Sequence, residues 1–304
     1  MFSVWLSQWS TKIYFFILRP LLKWVLHQVT GKCELLRISY NKNLDHVSRI
    51  MHIESSLKCS NSLILRQYSS ETNFDVSEAV KKIFEVKKLV PGVHSQFEAT
   101  MQHFLHRIHA YNKIIAEAEE LRKQKYLSEN PSHEKKLRQL WDAFNVGVEL
   151  PSITGSHWTD MGFQGHDPGT DFRGMGLLGL EQLLYFGQNY PNEAQKVLSQ
   201  SHHPQFGFSF AIVGINITEM GYTLLAQRKL RPHFYAFQKR VPDLNDFHQV
   251  YCHLLYEFTQ FWISEEPRDI MEFSNVREKF LNKVQDSLLK PNVHLLSPFQ
   301  EKTT

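Results

Sequence analysis

Cysteine is scarce in this chain, and neither sign of charge is in excess. The 304 residues include three cysteines, Cys33, Cys59 and Cys252. They are odd in number, far apart and never form a C-x-x-C pair, which excludes a dense disulfide framework and suits free thiols in a reducing compartment. Net charge is only +3, from 34 Lys and Arg against 31 Asp and Glu, so charge gives no case for a nucleic-acid partner. Uninterrupted apolar runs are missing as well. The apolar stretch at residues 2–26 is broken by Lys12, Arg19 and Lys23, whereas a spanning helix needs about 20 mostly apolar residues. It also lacks the charged start and small-residue cleavage site of a signal peptide. No run of alternating residues bounded by turns argues for a sheet, and no internal repeat or low-complexity tract is visible.

What the chain does have is apolar and aromatic mass. Apolar residues make up 42% and aromatics 13%, with 22 Phe, enough for a sizeable core. Helical spacing carries most of it. Phe97, Met101, Phe104, Leu105, Ile108, Ile115, Ala118 and Leu121 predict a long helix that breaks by Asn130-Pro131. Asp75-Val76-Ser77-Glu78 resembles a capping box, and Pro191 suits a first turn. Residues 210–225 read as a central buried helix, in which Glu219 needs a partner or faces a site. Residues 247–262 form the clearest amphipathic face, and a last helix carries Ile270, Phe273, Val276, Phe280 and Val284. The fold class is all-α. The organisation is an N-terminal apolar segment (1–35), a helical region (36–130), a multi-helix core (131–290) and a tail (291–304).

The segment 158–186, WTDMGFQGHDPGTDFRGMGLLGLEQLLYF, is the most informative. Its polar, turn-rich half carries three aromatics suited to burial, Trp158, Phe163 and Phe172, which read as anchors. Asp167-Pro168-Gly169-Thr170 reads as a tight turn, since proline presets φ and glycine tolerates φ > 0. It delivers Asp171, Phe172 and Arg173 together, with Gly174 leaving room beside the arginine. The loop is built to present one cationic side chain. Asp171 either orients that guanidinium, caps the next helix or satisfies turn amides, and Gln164 is a further polar contact candidate. Taken by themselves, these residues favour an ordinary loop arginine in a surface ion pair.

Two patterns are set aside. Gly174-Met175-Gly176-Leu177-Leu178-Gly179 matches G-x-G-x-x-G, but a dinucleotide site needs a preceding strand and an acidic residue about 20 positions on. His248 and Cys252 are four apart on a helix with no second convergent pair, so no metal site is assigned. The N-terminal segment holds Trp5, Trp9, Phe15, Phe16 and Trp24 beside sparse Lys and Arg, with no acid before Glu34. That chemistry fits an amphipathic helix at a lipid interface as well as one packed on the protein, with Pro20 dividing it into two short helices.

The 158–186 segment, His202-His203-Pro204, AIVGINITEMGY at 211–222 and FHQVYCHLLYEF at 247–258 resemble the ELMO domain. Thr30-Gly31-Lys32-Cys33-Glu34-Leu35 resembles the stand-alone ELMO domain-containing proteins. The likeness is dense over residues 137–288 and thin over 36–127, and His166 and Gly169 sit at positions expected to vary. The resemblance implies a compact multi-helix ELMO-type domain that activates Arf-like and Arf small GTPases, with the arginine of D-F-R-G as its essential residue. By position that residue is Arg173. It further implies no cofactor of the chain's own, since GTP and Mg belong to the partner, and a place on the cytosolic face of organelle membranes such as the endoplasmic reticulum or lipid droplets, with residues 2–26 as the peripheral contact. Two readings of other classes stand beside it: a non-catalytic GTPase-binding scaffold and a membrane-surface adaptor.

Overall fold

The computed structural model describes residues 18–290 and 293–300, the Arg19 side chain excepted. All regular elements among the described residues are helical. The chain divides into two compact units, residues 1–109 and 110–304.

The first unit opens with α1 (Arg19–Thr30), whose first turn holds Pro20 where its missing N–H costs nothing. The part of the predicted helix pair before Leu18 lies outside the described residues. Then follow α2 (Glu34–Ser39), α3 (His46–Lys58), α4 (Leu63–Gln67) and α5 (Val76–Lys87). Asp45 and Asp75 cap α3 and α5, each accepting from the amide three residues on, at 2.9 and 2.8 Å. Leu36, Ile50, Ile53, Leu57, Ile83 and Phe97 form this unit's core. The long predicted helix is α6 (Ser95–Lys123), and the division at 109/110 falls within it.

In the second unit the predicted break at Asn130-Pro131 is also a helix start, and the predicted first turn at Pro191 is kept. Asn130 caps α7 (Pro131–Phe144), and Pro191 opens α9 (Pro191–Ser201), which follows α8 (Gly176–Asn189). The apolar run at 210–225 becomes α10 (Phe210–Ala226), buried along most of its length. Short α11 (Arg231–Tyr235) leads to α12 (Leu244–Ser264), begun by a true capping box of Asp243 and Asp246. A single 3-10 turn precedes α13 (Phe273–Leu288). Helices α8, α10 and α12 pack on one another, and α7 covers α8. Glu219 is exposed and pairs with Arg277 at 3.3 Å, which settles its need for a partner.

The segment after α13 is not a free end. Leu295, Ser297 and Gln300 are buried. The Leu295 amide donates to His233 Nδ1 at 3.0 Å, and Gln300 Nε2 donates to the Gln249 carbonyl at 2.8 Å.

Candidate functional site

Between α7 and α8 the chain forms two short 3-10 helices, Ser156–Met161 and Pro168–Arg173, joined by a polar loop. The three predicted anchors do what their chemistry demands. Trp158, Phe163 and Phe172 are 0%, 4% and 1% exposed. Their rings meet in series, Trp158 on Phe163 at 5.4 Å and Phe163 on Phe172 at 5.8 Å between centroids, both edge to face. Trp158 also abuts Trp141 of α7 at 5.3 Å, and its indole N–H donates to the Ile153 carbonyl at 2.9 Å. A buried indole thus keeps its one donor satisfied.

Backbone ties close the loop. The Gly155 amide donates to the His166 carbonyl at 2.7 Å. The Gln164 amide donates to Asp171 Oδ2 at 2.7 Å. Of the three roles open to Asp171, the structure therefore shows it satisfying a loop amide. Burial pushes the Asp171 carboxyl above its ordinary value, against the pull of the Gln164 amide and the nearby Arg173 charge. Gln164 itself is exposed and available at the surface.

The predicted tight turn at Asp167–Thr170 is closed by the Thr170 amide donating to the Asp167 carbonyl at 3.2 Å and forms the first turn of the second 3-10 helix, with Asp167 Oδ1 accepting from the Gly169 amide at 3.0 Å. Gly169 has no positive φ. Its glycine is required for space: a Cβ there would lie 2.6 Å from the Tyr126 ring. Gly176, the first residue of α8, does need its left-handed φ of 53°, and a Cβ would meet the Arg122 carbonyl at 2.3 Å. The Leu177 amide donates to the Gln124 carbonyl at 2.9 Å. A 3-10 helix precedes the glycine run, and the chain's own carbonyls crowd the α8 N-terminus, so the G-x-G-x-x-G string forms a helix entry.

That contact is braced from behind. Tyr222 of α10 donates its hydroxyl to Glu119, which also holds Arg122 at 2.6 Å, and these bonds keep the Glu119 carboxyl well below the usual range. The end of α6 is thereby locked beneath the arginine-bearing turn.

Arg173 ends the second 3-10 helix, between buried Phe172 and exposed Gly174. Its side chain is exposed, and it makes no hydrogen bond or ion pair with any described residue. The ordinary loop arginine in a surface ion pair is therefore not what the fold contains. Gly174 has an ordinary φ of −81°, and a Cβ there would meet nothing within 4 Å. Nothing in the fold itself demands a glycine at that position. A groove of about 450 Å³ adjoins the arginine, lined by Lys125, Tyr126, Ser128, Gly169, Phe172 and Arg173 among others. Lys125 and Tyr126 escape sequence reasoning because they lie about fifty residues upstream, in the α6–α7 connection, with no spacing that ties them to the motif. His248 and Cys252 lie buried on α12, far from solvent, where burial holds the imidazole down at about 4 and pushes the thiol up.

Comparison with known proteins fits this geometry. The model of the ELMO/CED-12 family matches residues 116–277, which include the whole arginine-bearing loop. The chain is 43% identical over 274 residues to the ELMO domain-containing protein 2 of Bos taurus, covering 90% of this chain and 93% of that one. It is 41% identical over 303 residues to the ELMO domain-containing protein 1 of Homo sapiens, covering 91% and 90%. To the ELMO domain-containing protein B of Dictyostelium discoideum it is 32% identical over 269 residues, covering 87% and 93%. No solved structure matches the chain.

Proposed function

The chain belongs to the ELMO/CED-12 family, and on that premise we propose that it stimulates GTP hydrolysis by Arf-like and Arf family small GTPases, supplying Arg173 in trans. The observation that carries this reading is one exposed arginine with no partner among the described residues, on a loop fixed by three buried aromatic rings. A cation left unpaired on a rigid support is already placed to meet a charge that arrives with a partner, and little ordering entropy remains to be lost.

In hydrolysis a water attacks the γ-phosphorus of GTP, the bond to the β–γ bridging oxygen breaks, and negative charge moves onto that oxygen. GTP and its Mg are held by the GTPase, so the hydrolytic centre belongs to the partner. The guanidinium of Arg173 donates two N–H groups to oxygens where charge accumulates, an interaction stronger in the transition state than before it. Such a finger is worth about 10³–10⁵ in rate. Its planar fork is what lysine lacks. The open space beside Gly174 lets the partner's backbone approach closely, and Gln164 and Lys125, both exposed, serve as polar contacts.

Membrane contact is a second component of the proposal. No described helix is long and apolar enough to cross a membrane, yet α1 exposes Leu21, Leu22, Trp24 and Leu26 to between 42% and 61%, the surface chemistry of a helix lying at a lipid interface.

Phosphate release from a GTP-loaded Arf-like GTPase, with and without this protein, tests the catalytic reading. Acceleration supports it. Binding of the GTPase without acceleration would instead make the chain a scaffold module.

A further inference from the structure

The first unit contains a cleft that the catalytic reading does not use. It has a volume of about 780 Å³ and is lined by Pro20 and Lys23 of α1, Ser56 and Cys59 at the end of α3, Ser60 to Ser62 before α4, and Val86 and Lys87 of α5. Lys23 and Lys87, from separate helices, thus line a recess whose remaining polar lining is hydroxyl, amide, thiol and backbone groups. Lys23 holds Glu34 at 2.5 Å, and Ser56 donates to the same carboxylate at 2.6 Å. Glu34 and Lys23 therefore compensate each other, and Lys87, the other lysine of the lining, has no ion pair among the described residues.

The surroundings identify the occupant. On α1 the side chains of Leu21, Val25 and Val29, and of Leu22 and Leu26, recur four apart along one side, while Lys23 and His27 lie on the other. All five apolar residues are exposed, Val29 by 77%. Leu63 and Ile64, next to the cleft-lining Ser62, are also exposed, and so is Val86 in the lining itself. An interfacial helix buries its apolar side at the boundary of headgroups and acyl chains, which sets its cationic side at the depth of the phosphates. Lys23 on that cationic side also lines the cleft. Its size suits a sugar-sized group, and lysine ammonium with hydroxyl donors is phosphate-binding chemistry.

We propose that this cleft is a headgroup site for a phosphorylated inositol lipid, with Lys87 as its unpaired cation, Lys23 beside it holding Glu34, and α1 as the membrane anchor. The proposal rests on the membrane contact proposed above and is independent of Arg173. The test uses the full chain in vesicle flotation at physiological salt, with phosphatidylcholine alone, with phosphatidylserine, and with phosphatidylinositol bisphosphate at matched surface charge. The inositol lipid is expected to bind roughly tenfold more tightly than phosphatidylserine, the size of one charge-assisted hydrogen bond. Lys87→Gln removes that preference, while Lys42→Gln, an exposed lysine outside the cleft, leaves it in place. Cys59 supplies a readout without a bilayer: it is exposed and lines the cleft, so soluble inositol phosphate slows its alkylation. Equal binding to the two anionic vesicles together with an unprotected Cys59 would overturn the site. Leu22→Glu lowers flotation on every vesicle; unchanged flotation would overturn the membrane contact itself and the site with it. GTPase stimulation in solution stays at the wild-type level in all these variants, so failure here and failure of the catalytic reading are told apart.

Discussion

Phe172→Ala separates the support of the arginine from the arginine itself. The ring is 1% exposed, lies against Phe163 at 5.8 Å and Tyr126 at 6.3 Å, and sits within 3.3 Å of the space above Gly179. Its neighbours belong to α8, to the loop joining the two 3-10 helices and to the α6–α7 connection, so they cannot collapse together into the vacated volume. Deleting a ring in such a place costs about 3–5 kcal/mol. For a cooperative unit of this size, each kcal/mol moves the melting temperature by about 2–4 °C, giving a fall of roughly 6–20 °C. Stimulation should fall too, by about 10²-fold at a temperature where the variant is still folded, because an arginine displaced by about 1 Å loses its alignment. Differential scanning calorimetry and single-turnover phosphate release measure the two effects. Arg173→Ala, with no hydrogen bond or ion pair to lose among the described residues, should leave the melting temperature within the range of ordinary surface changes, about 0.5 kcal/mol. An unchanged melting temperature for Phe172→Ala would refute the anchoring argument and place the ring at the partner surface.

Gly174→Val should leave stability unchanged, since the position is open and its φ is ordinary, yet lower stimulation roughly tenfold, about 1.4 kcal/mol of lost complementarity; full stimulation would mean the partner does not come close there. Asp171→Asn keeps an acceptor for the Gln164 amide and removes a half-buried charge, so melting temperature and stimulation should hold, whereas Asp171→Ala should cost about 1–2 kcal/mol; a large loss in the Asn variant would show that the carboxylate acts on Arg173. Acid should weaken the fold through its neutral buried and half-buried histidines. His233 is held down at about 3 and His248 and His253 at about 4 by burial, against an ordinary value of 6.5. The unfolded chain then takes up protons that the folded one refuses, so stability present above pH 6.5 is lost as pH falls toward 4. Melting temperatures across that range, compared with those of His233→Asn, should show a shallower slope for the variant, and equal slopes would contradict the assignment.

Helices were legible wherever one face is apolar over several turns, because burial of that face is a local pattern: α6, α10 and α12 stand where their spacing puts them. The anchoring aromatics were legible for a related reason, since three large rings in a polar loop have nowhere to go but inward. What spacing could not show was anything decided by a distant neighbour. Gly169 is a glycine because of Tyr126, forty-three positions upstream, and not because of its own φ. Asp171 serves the Gln164 amide across the loop, a choice among three roles that only the closed loop makes. The burial of Leu295, Ser297 and Gln300 depends on His233, His253 and Gln249, so a segment with little periodicity looks from its sequence like a loose end.

The central claim is that Arg173 acts as a finger through its planar fork. The measurement is single-turnover phosphate release from a GTP-loaded Arf-like GTPase, at saturating concentrations of the wild-type protein, Arg173→Lys and Arg173→Ala, each first shown to melt at the wild-type temperature. Both variants should lose most of the acceleration, about 10³–10⁵-fold where the wild-type effect is that large. Wild-type acceleration by Arg173→Lys would contradict the account.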